Sequence, residues 1–400
     1  MLQAALEGLK VIDLTHYVAG PNCTKLLADY GAEVIKVERP GVGDRSRHLG
    51  AFPDDIPDPE RSALFLHLNA DKKGITLNLK DPKGVAILKE LVRGADILVE
   101  NFHPRVMPSL GLSYDTLDAV NPQLIMVSIS DFGQTGPYRD YKGSEIVDYA
   151  LGGAFYTTGP ADRPPLKLGG NVVAYYAGVH AAVATVTAVL GQMRRGSGDH
   201  LDISIQQTQA GSPDRLGPML MGHQFNNKEV WHRGVSRPPV RPCLDGYMNI
   251  QIGGPKGPER VGPMLGRPDL GTDPRFADPI EAVKPENQEA FEEIFLMWIL
   301  DKTMSEAWEA AQKAQVASGP IYTAKDILAD PHFRSRGFWE EIDHAIAGRF
   351  EYSGLPFRIP GEEQVPRIAP PQLGEHTEEV LAEIGYDTAA VAALREEGVV

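Results

Sequence analysis

Between Lys10 and Ser128 the chain alternates short runs of β-branched and aliphatic residues with stretches whose apolar positions recur at helical spacing. KVIDL, EVIKVE, ITLNL, ILVE and LIMVS read as strands, and helices are predicted near Asn22 to Tyr30 and Pro82 to Arg93. Strands that are almost continuously apolar and separated by helical segments predict a parallel sheet covered on both faces, an α/β fold. From Val172 to Arg194 Ala, Val and Leu dominate with little charge, and Gly196 follows as a stop signal. That segment predicts a buried helix of about six turns. After Gln209 Pro and Gly become frequent through RLGPMLMGHQ and GVSRPPVRP, which predicts a linker. CLDGYMNIQIGG then reads as a hairpin, helices are expected over 286–300 and 305–314, GRFEYSG reads as a strand, and a last helix is expected near 375–385. The pattern divides the chain into residues 1–210, a large α/β region, 225–330, a smaller region, and 331–400, a C-terminal part.

Composition narrows the function classes. The 400 residues, 42% of them hydrophobic, suffice for two packed domains. No apolar run approaches the roughly 18–20 residues of a membrane span, and MLQAALEGLK has no basic segment ahead of an apolar one, so the cytoplasm is the expected compartment. Cys23 and Cys243 supply neither a metal-ligand spacing nor a disulfide framework, and no metal is expected. A net charge of −15 argues against nucleic acid or an anionic membrane as partner. An anionic ligand would need a local basic patch, for which Lys36, Arg39, Arg45, Arg47, Lys72, Lys73, Arg105 and Lys142 are candidates; taken alone they read as solvated surface charges.

Standard sites are missing: no GxGxxG follows a strand, and GxxxxGK[ST], GxSxG and HExxH do not occur. His16 follows the first predicted strand, where ligands bind in open α/β sheets. Ala19-Gly20-Pro21-Asn22 opens the next helix and either offers backbone N–H groups to an anion or is an ordinary turn capped by Asn22. Cys23 reads as a small buried residue rather than an activated thiol. Asp131, Asp140, Glu145, Asp148 and Asp162 form no convincing acid–base pair by spacing and read mostly as exposed or turn residues.

The ordered blocks LEGLKVIDLTHYVAGPNCTKLLADYGAEVIKVERPGVGD, ADKKGITLNLK, ILVENFHP, SISDFGQTGPY, AGVHAA, GSGDHLDIS, ADPHFRSRGFW and PPQLGEHTEEVLAEIG resemble the family III CoA-transferases, which include formyl-CoA and carnitine-type CoA-transferases. The resemblance covers nearly the whole chain. It implies a Rossmann-like large domain built from both chain ends, a smaller central domain, an interlocked dimer, and CoA or acyl-CoA and a carboxylic acid as substrates. In the family a carboxylate attacks the acyl-CoA thioester. Ala177-Gly178-Val179-His180-Ala181-Ala182 and Gly196-Ser197-Gly198 fix the register, and the position of the family's nucleophilic Asp is held by Ala174. Arg39 matches a CoA-contacting arginine, Lys72 and Lys73 a basic pair, Lys142 a phosphate-side lysine, and Asn101 with Phe102 a pair beside the adenosine. His16, Val18, Ala19 and Arg105 complete the expected CoA-binding set, although Val18 replaces a glutamine found near the thioester in formyl-CoA transferase and Ser109 stands where an arginine is common.

Several readings accommodate Ala174. The chain is expected to be the non-catalytic subunit of a heteromeric transferase whose related partner supplies the Asp, as the two related subunits of benzylsuccinyl-CoA transferase suggest. Alternatives are an engineered Asp-to-Ala variant of a homodimer, Glu145 as substitute nucleophile, and an acyl-CoA-binding scaffold without turnover. A relative of the α-methylacyl-CoA racemases would need a His at Ser144 and an Asp at Ala174, and has neither. Tyr149, Phe155, Tyr156, Tyr175 and Tyr176 cluster in sequence near the acyl site and read as packing residues or as a hint of an aromatic acyl group.

Overall fold

The computed structural model describes residues 4–159, 163–211, 216–227, 240–251, 257–357, 360–361 and 365–400. The chain divides into two compact units, one of residues 1–159, 163–233 and 337–400, the other of 160–162 and 234–336.

The first unit is built on six parallel strands, β1 (Lys10–Asp13), β2 (Glu33–Glu38), β3 (Lys72–Thr76), β4 (Ile97–Glu100), β5 (Ile125–Ser130) and β6 (Asp199–Ser204), in the order β3-β2-β1-β4-β5-β6. Its helices include α1 (Ala19–Asp29), α2 (Ala63–Asn69), α3 (Pro82–Arg93), α4 (Val106–Ser109), α5 (Tyr114–Asp118), α6 (Glu145–Leu151), α7 (Val172–Arg195) and α8 (Ile205–Ala210). Strand β1 pairs with β2 on one side and β4 on the other. The order of strands reverses between β1 and β4, so the loops leaving their carboxyl ends diverge and open a crevice. Val11, Val99, Val127 and the helix residues Leu27 and Ala181 pack on one face of the sheet, and Ile12, Leu98, Met126 and Leu88 on the other. The C-terminal residues Val380, Leu381, Val391 and Leu394 join that second cluster. A hairpin of β10 (Trp339–His344) and β11 (Gly348–Ser353) packs Ile342 and Tyr352 against Leu66 and Ala70. In the second unit β7 (Val240–Cys243), β8 (Gly246–Ile250) and β9 (Ser318–Pro320) form an antiparallel sheet. Its core joins Met248 and Ile250 to Phe295 and Ile299 of helix Pro285–Ile299 and to Ala307 of helix Met304–Lys313.

Four details differ from the sequence reading. ITLNL is not itself the third strand, which begins three residues earlier at Lys72, because the two lysines pair in the ladder with Val34 and Ile35. DHLDIS forms the sixth strand, an edge whose alternating exposure gives no continuous apolar run. Most of RLGPMLMGHQ lies in a helix, Leu216–Asn226, rather than a linker, while 234–239 of GVSRPPVRP fall outside the described residues. Helix α7 buries Ala174, Ala177, Ala181 and Val189 but exposes Val179, Val183, Leu190 and Met193. By length and composition it is apolar enough to cross a membrane, contrary to the reading of apolar runs, and half of that stretch packs inside the protein.

Candidate functional site

A turn held by several hydrogen bonds borders the crevice between β1 and β4. After β1 the chain bends at Tyr17, whose φ of 72° is a left-handed conformation rarely adopted by a bulky residue. Its N–H donates to Asp44 Oδ1 at 3.0 Å and its hydroxyl to Asn171 Oδ1 at 2.7 Å, which fixes the bend. The adjacent His16 and Asn101, at the ends of β1 and β4, exchange two hydrogen bonds: the His16 N–H donates to Asn101 Oδ1 and Asn101 Nδ2 to the His16 carbonyl, both at 2.8 Å. The His16 ring lies 5.4 Å from that of Phe102, and burial holds its imidazole below the ordinary value. Glu100 Oε2 accepts the Phe102 N–H at 2.8 Å; burial pushes this carboxyl up to about 7 against the pull of hydrogen bonds from Ser128 and the Phe102 backbone.

Beneath the turn lies a buried ionic lattice. Asp13 accepts from Thr15, Thr24 and Lys72, and although burial alone would raise it, Lys72, Lys36 and the two hydroxyls hold it far below the usual carboxylate range. Lys36 donates to the Thr15 carbonyl at 3.0 Å and to Asp44 at 2.8 Å. Burial opposes the ionised form of Asp44, but Lys36 outweighs it and lowers the carboxyl to about 2. Charges so enclosed and mutually satisfied shape the backbone above them rather than meet a ligand.

Helix α7 brings Ala174 to the crevice. Gly178 lets α7 approach α1 closely, since a Cβ there would stand 2.5 Å from the Ala19 carbonyl oxygen and 2.8 Å from Asn22 Nδ2. Asn22 is not the helix cap expected from sequence; Val18 holds that position without a side-chain bond, and Asn22 Nδ2 instead donates to the Tyr175 carbonyl at 3.1 Å, tying the helices together. Glu145 Oε1 accepts the Val173 N–H at 3.0 Å and Oε2 the Ala174 N–H at 3.1 Å, so its carboxylate covers two otherwise unpaired donors of α7. Lys167 Nζ lies 3.5 Å from Glu145 Oε1.

These elements enclose a cavity of about 430 Å³. Of the positions expected from sequence, His16, Ala19, Arg45, Asn101, Phe102, Glu145 and Ala174 line it. Val18, fully buried, lies behind this wall. Arg39 and Lys142 are exposed and outside the lining. The expected role of Lys72 is corrected: it is buried, and its ammonium is engaged by Asp13, Thr24, Asn69 and the Pro21 carbonyl. Lys73 pairs with Glu33 and Glu379, each at 2.9 Å. Arg105 is held by Asp140 at 2.7 Å. Lys36 and Arg47 leave the candidate patch for the same reason, Arg47 being buried against Glu38. Cys23 is buried with its thiol pushed up to about 12, chiefly by desolvation, and is no nucleophile. The five aromatics lie outside the lining; Tyr149 packs on Phe155, with ring centroids 5.5 Å apart. Asp162 lies outside the described residues. Among those residues no cluster of His, Cys, Asp or Glu has the arrangement of a metal site.

Sequence reasoning missed Arg139 and the partnership of Asp131 with Asp148. Asp148 is 1% exposed rather than a surface residue. Burial, then the charge and hydrogen bond of Asp131, push its carboxyl up to about 8. Asp131 and Asp148 are seventeen positions apart, so no local spacing announces the contact, and only the fold brings β5 and α6 together.

A family model for CoA-transferase family III matches residues 6–377. The chain belongs to CoA-transferase family III. It is 34% identical to a formyl-CoA:oxalate CoA-transferase of Bradyrhizobium sp. (strain ORS 278), over 98% of this chain and 97% of the relative. Identity to a succinyl-CoA–D-citramalate CoA-transferase of Chloroflexus aurantiacus is 33%, over 95% and 94%. A crystal structure of a CAIB/BAIF family protein from Brucella suis superimposes with a TM-score of 0.82 at 30% identity, covering 95% of this chain and 99% of that one. The family match thus extends over residues of both units.

Proposed function

We propose that this chain binds acyl-CoA in the cavity above β1 and β4 as part of a CoA-transferase, and that it is the subunit without the covalent nucleophile. Transfer by a side-chain carboxylate proceeds through a mixed anhydride: the carboxylate attacks the thioester carbonyl, the C–S bond breaks and CoA leaves as thiolate. The thiolate then attacks the enzyme's own carbonyl, releasing the donor acid and leaving an enzyme thioester. The acceptor acid reverses both steps. A methyl group supplies no electron pair for this attack, and the observation that carries the reading is the Ala174 side chain, 7% exposed, at the cavity wall. Glu145 is a poor substitute because both of its oxygens accept backbone N–H groups, which stabilise the carboxylate and lower its nucleophilicity. A related chain carrying the aspartate, paired as an interlocked dimer, would complete the enzyme.

A second reading, a homodimer in which Ala174 replaces a working Asp, is favoured by the intact brace between His16 and Asn101. Ala174→Asp separates the two. In the heteromeric enzyme the substitution leaves the isolated chain without transfer between an acyl-CoA and a carboxylic acid, and native mass spectrometry finds a second, related chain in the complex. Full activity of a homodimer carrying Ala174→Asp would overturn the heteromeric reading.

A further inference from the structure

Strand β4 ends at Glu100, and the two residues after it, Asn101 and Phe102, line the cavity. Their turn is clamped from both sides. His16 holds Asn101 by the two exchanged hydrogen bonds, and Glu100 Oε2 takes the Phe102 N–H, a donor that the end of the strand leaves without a ladder partner. Glu100 itself is 3% exposed and outside the lining, so it meets no ligand. A line of hydrogen bonds leads from it to the surface. Ser128, its register partner on β5, donates to the carboxylate, and Ser128 Oγ lies 2.9 Å from Nε2 of His200, an exposed residue of β6 whose ring stacks on Tyr114 with centroids 5.0 Å apart. We propose that Glu100 is a positioning residue for acyl-CoA: its carboxyl sets Phe102 in the cavity wall, and it takes up a proton along the line through Ser128 and His200 when the anionic ligand is seated.

The proton movement balances. In the ionised state Ser128 donates to Glu100 and accepts the Nε2 proton of His200. When His200 takes a proton from solvent at Nδ1, its Nε2 proton passes to Ser128 and the hydroxyl proton of Ser128 passes to Glu100. The imidazole ends in its other neutral tautomer, the charge state that desolvation of the ring favours. Glu100 is then an acid that donates to Ser128 and still accepts the Phe102 N–H through its other oxygen, so the turn keeps its clamp while the wall loses negative charge. An anion nearby disfavours a carboxylate, and Glu100, pushed up to about 7 chiefly by burial with Asp202 adding to it, stands half ionised at neutral pH. Few other charges face the line. Asp202 of β6 and Asp115 of α5 act on His200, while Leu14, Leu98, Met107 and Met126 make the rest of this face apolar. Within the cavity Asp148 already holds its proton at pH 7, and burial holds His16 below its ordinary value.

The inference rests on the reading of the cavity as an acyl-CoA site, and calorimetry on the full chain, with any co-purifying partner retained, tests the two separately. Butyryl-CoA is titrated at pH 7 in PIPES and in imidazole, buffers of different ionisation enthalpy, so that the difference in apparent binding enthalpy counts the protons taken up. Protons exchanged by the phosphates of the ligand cancel when two proteins are compared. The unsubstituted chain should take up more than Glu100→Gln by as much as about half a proton, the ionised share of a group at about 7. Glutamine keeps an acceptor for the Phe102 N–H and a donor for Ser128, so its affinity should stay within about threefold, whereas Glu100→Ala should bind about tenfold more weakly. Ser128→Ala removes a bond that favours the ionised form and should move the uptake to higher pH, a shift that is read without the glutamine variant. Equal uptake with and without Glu100→Gln, an uptake profile unmoved by Ser128→Ala, or undiminished affinity in Glu100→Ala overturns the inference and leaves the acyl-CoA reading standing. If butyryl-CoA does not bind the unsubstituted chain, the acyl-CoA reading fails and the inference falls with it.

Discussion

At the scale of single residues the site combines positions that a sequence discloses with others that only packing creates. His16, Asn101 and Ala174 were legible because each sits at the end of a strand or start of a helix within a recognisable block. Lys72 was misread because a lysine beside another lysine looks solvated, and nothing local shows that Asp13, fifty-nine positions away, waits to bind it. Asp148 was missed for the converse reason, a carboxylate in an amphipathic stretch being ordinarily exposed. Its buried state gives a pH prediction. The folded carboxyl, raised to about 8 by burial and Asp131, keeps a proton that the unfolded chain has already lost above its ordinary value near 3.8. The native state therefore binds more protons across that interval, and this group's contribution to stability falls as pH rises from about 4 to 8. Asp148→Asn removes the titration. Denaturation midpoints measured against pH should coincide in slope below pH 4 and diverge above it, with the variant gaining relative stability up to about pH 8. Parallel profiles from pH 4 to 8 would show that Asp148 is ionised in the folded protein.

At the scale of elements the approach of α7 to α1 controls where position 174 lies. The close contact at Gly178 was written in the sequence as a glycine inside a helical run, but its partner, the first turn of α1, was not. Gly178→Ala should force the helices apart and lower stability by about 1–3 kcal/mol. Because Ala174 is one turn away, the same change should weaken acyl-CoA binding more than the loss of stability explains; chemical denaturation and calorimetry on one preparation check both. Glu145 acts on the first turn of the same helix. Glu145→Ala leaves the Val173 and Ala174 N–H groups unpaired, and by analogy with lost helix caps it should cost about 1 kcal/mol, read as a shift in denaturation midpoint. The strand pattern of the sheet was largely readable because buried parallel strands are continuous apolar runs. Strand β6 escaped because an edge strand that alternates exposed and half-buried residues has no such run.

At the scale of the whole molecule the proposed reading places an anionic ligand on a chain of net charge −15. Of the basic residues that a linear reading would gather into a patch, Lys36, Arg47, Lys72 and Lys73 are paired with Asp44, Glu38, Asp13 and Glu33, and Arg105 with Asp140, leaving Arg39, Arg45 and Lys142 exposed. Arg39→Ala with Lys142→Ala should therefore weaken CoA binding about tenfold or more, with a shallower dependence on salt, while the denaturation midpoint stays where it was. The central claim is that this chain holds acyl-CoA without forming a covalent bond to it. Intact-protein mass spectrometry after incubation of the natively purified complex with an acyl-CoA, quenched with hydroxylamine, tests that claim directly. The account predicts an unmodified mass for this chain and a hydroxamate on a carboxylate of the partner chain. A hydroxamate mapped to Glu145, or to any other carboxylate of this chain, would contradict it.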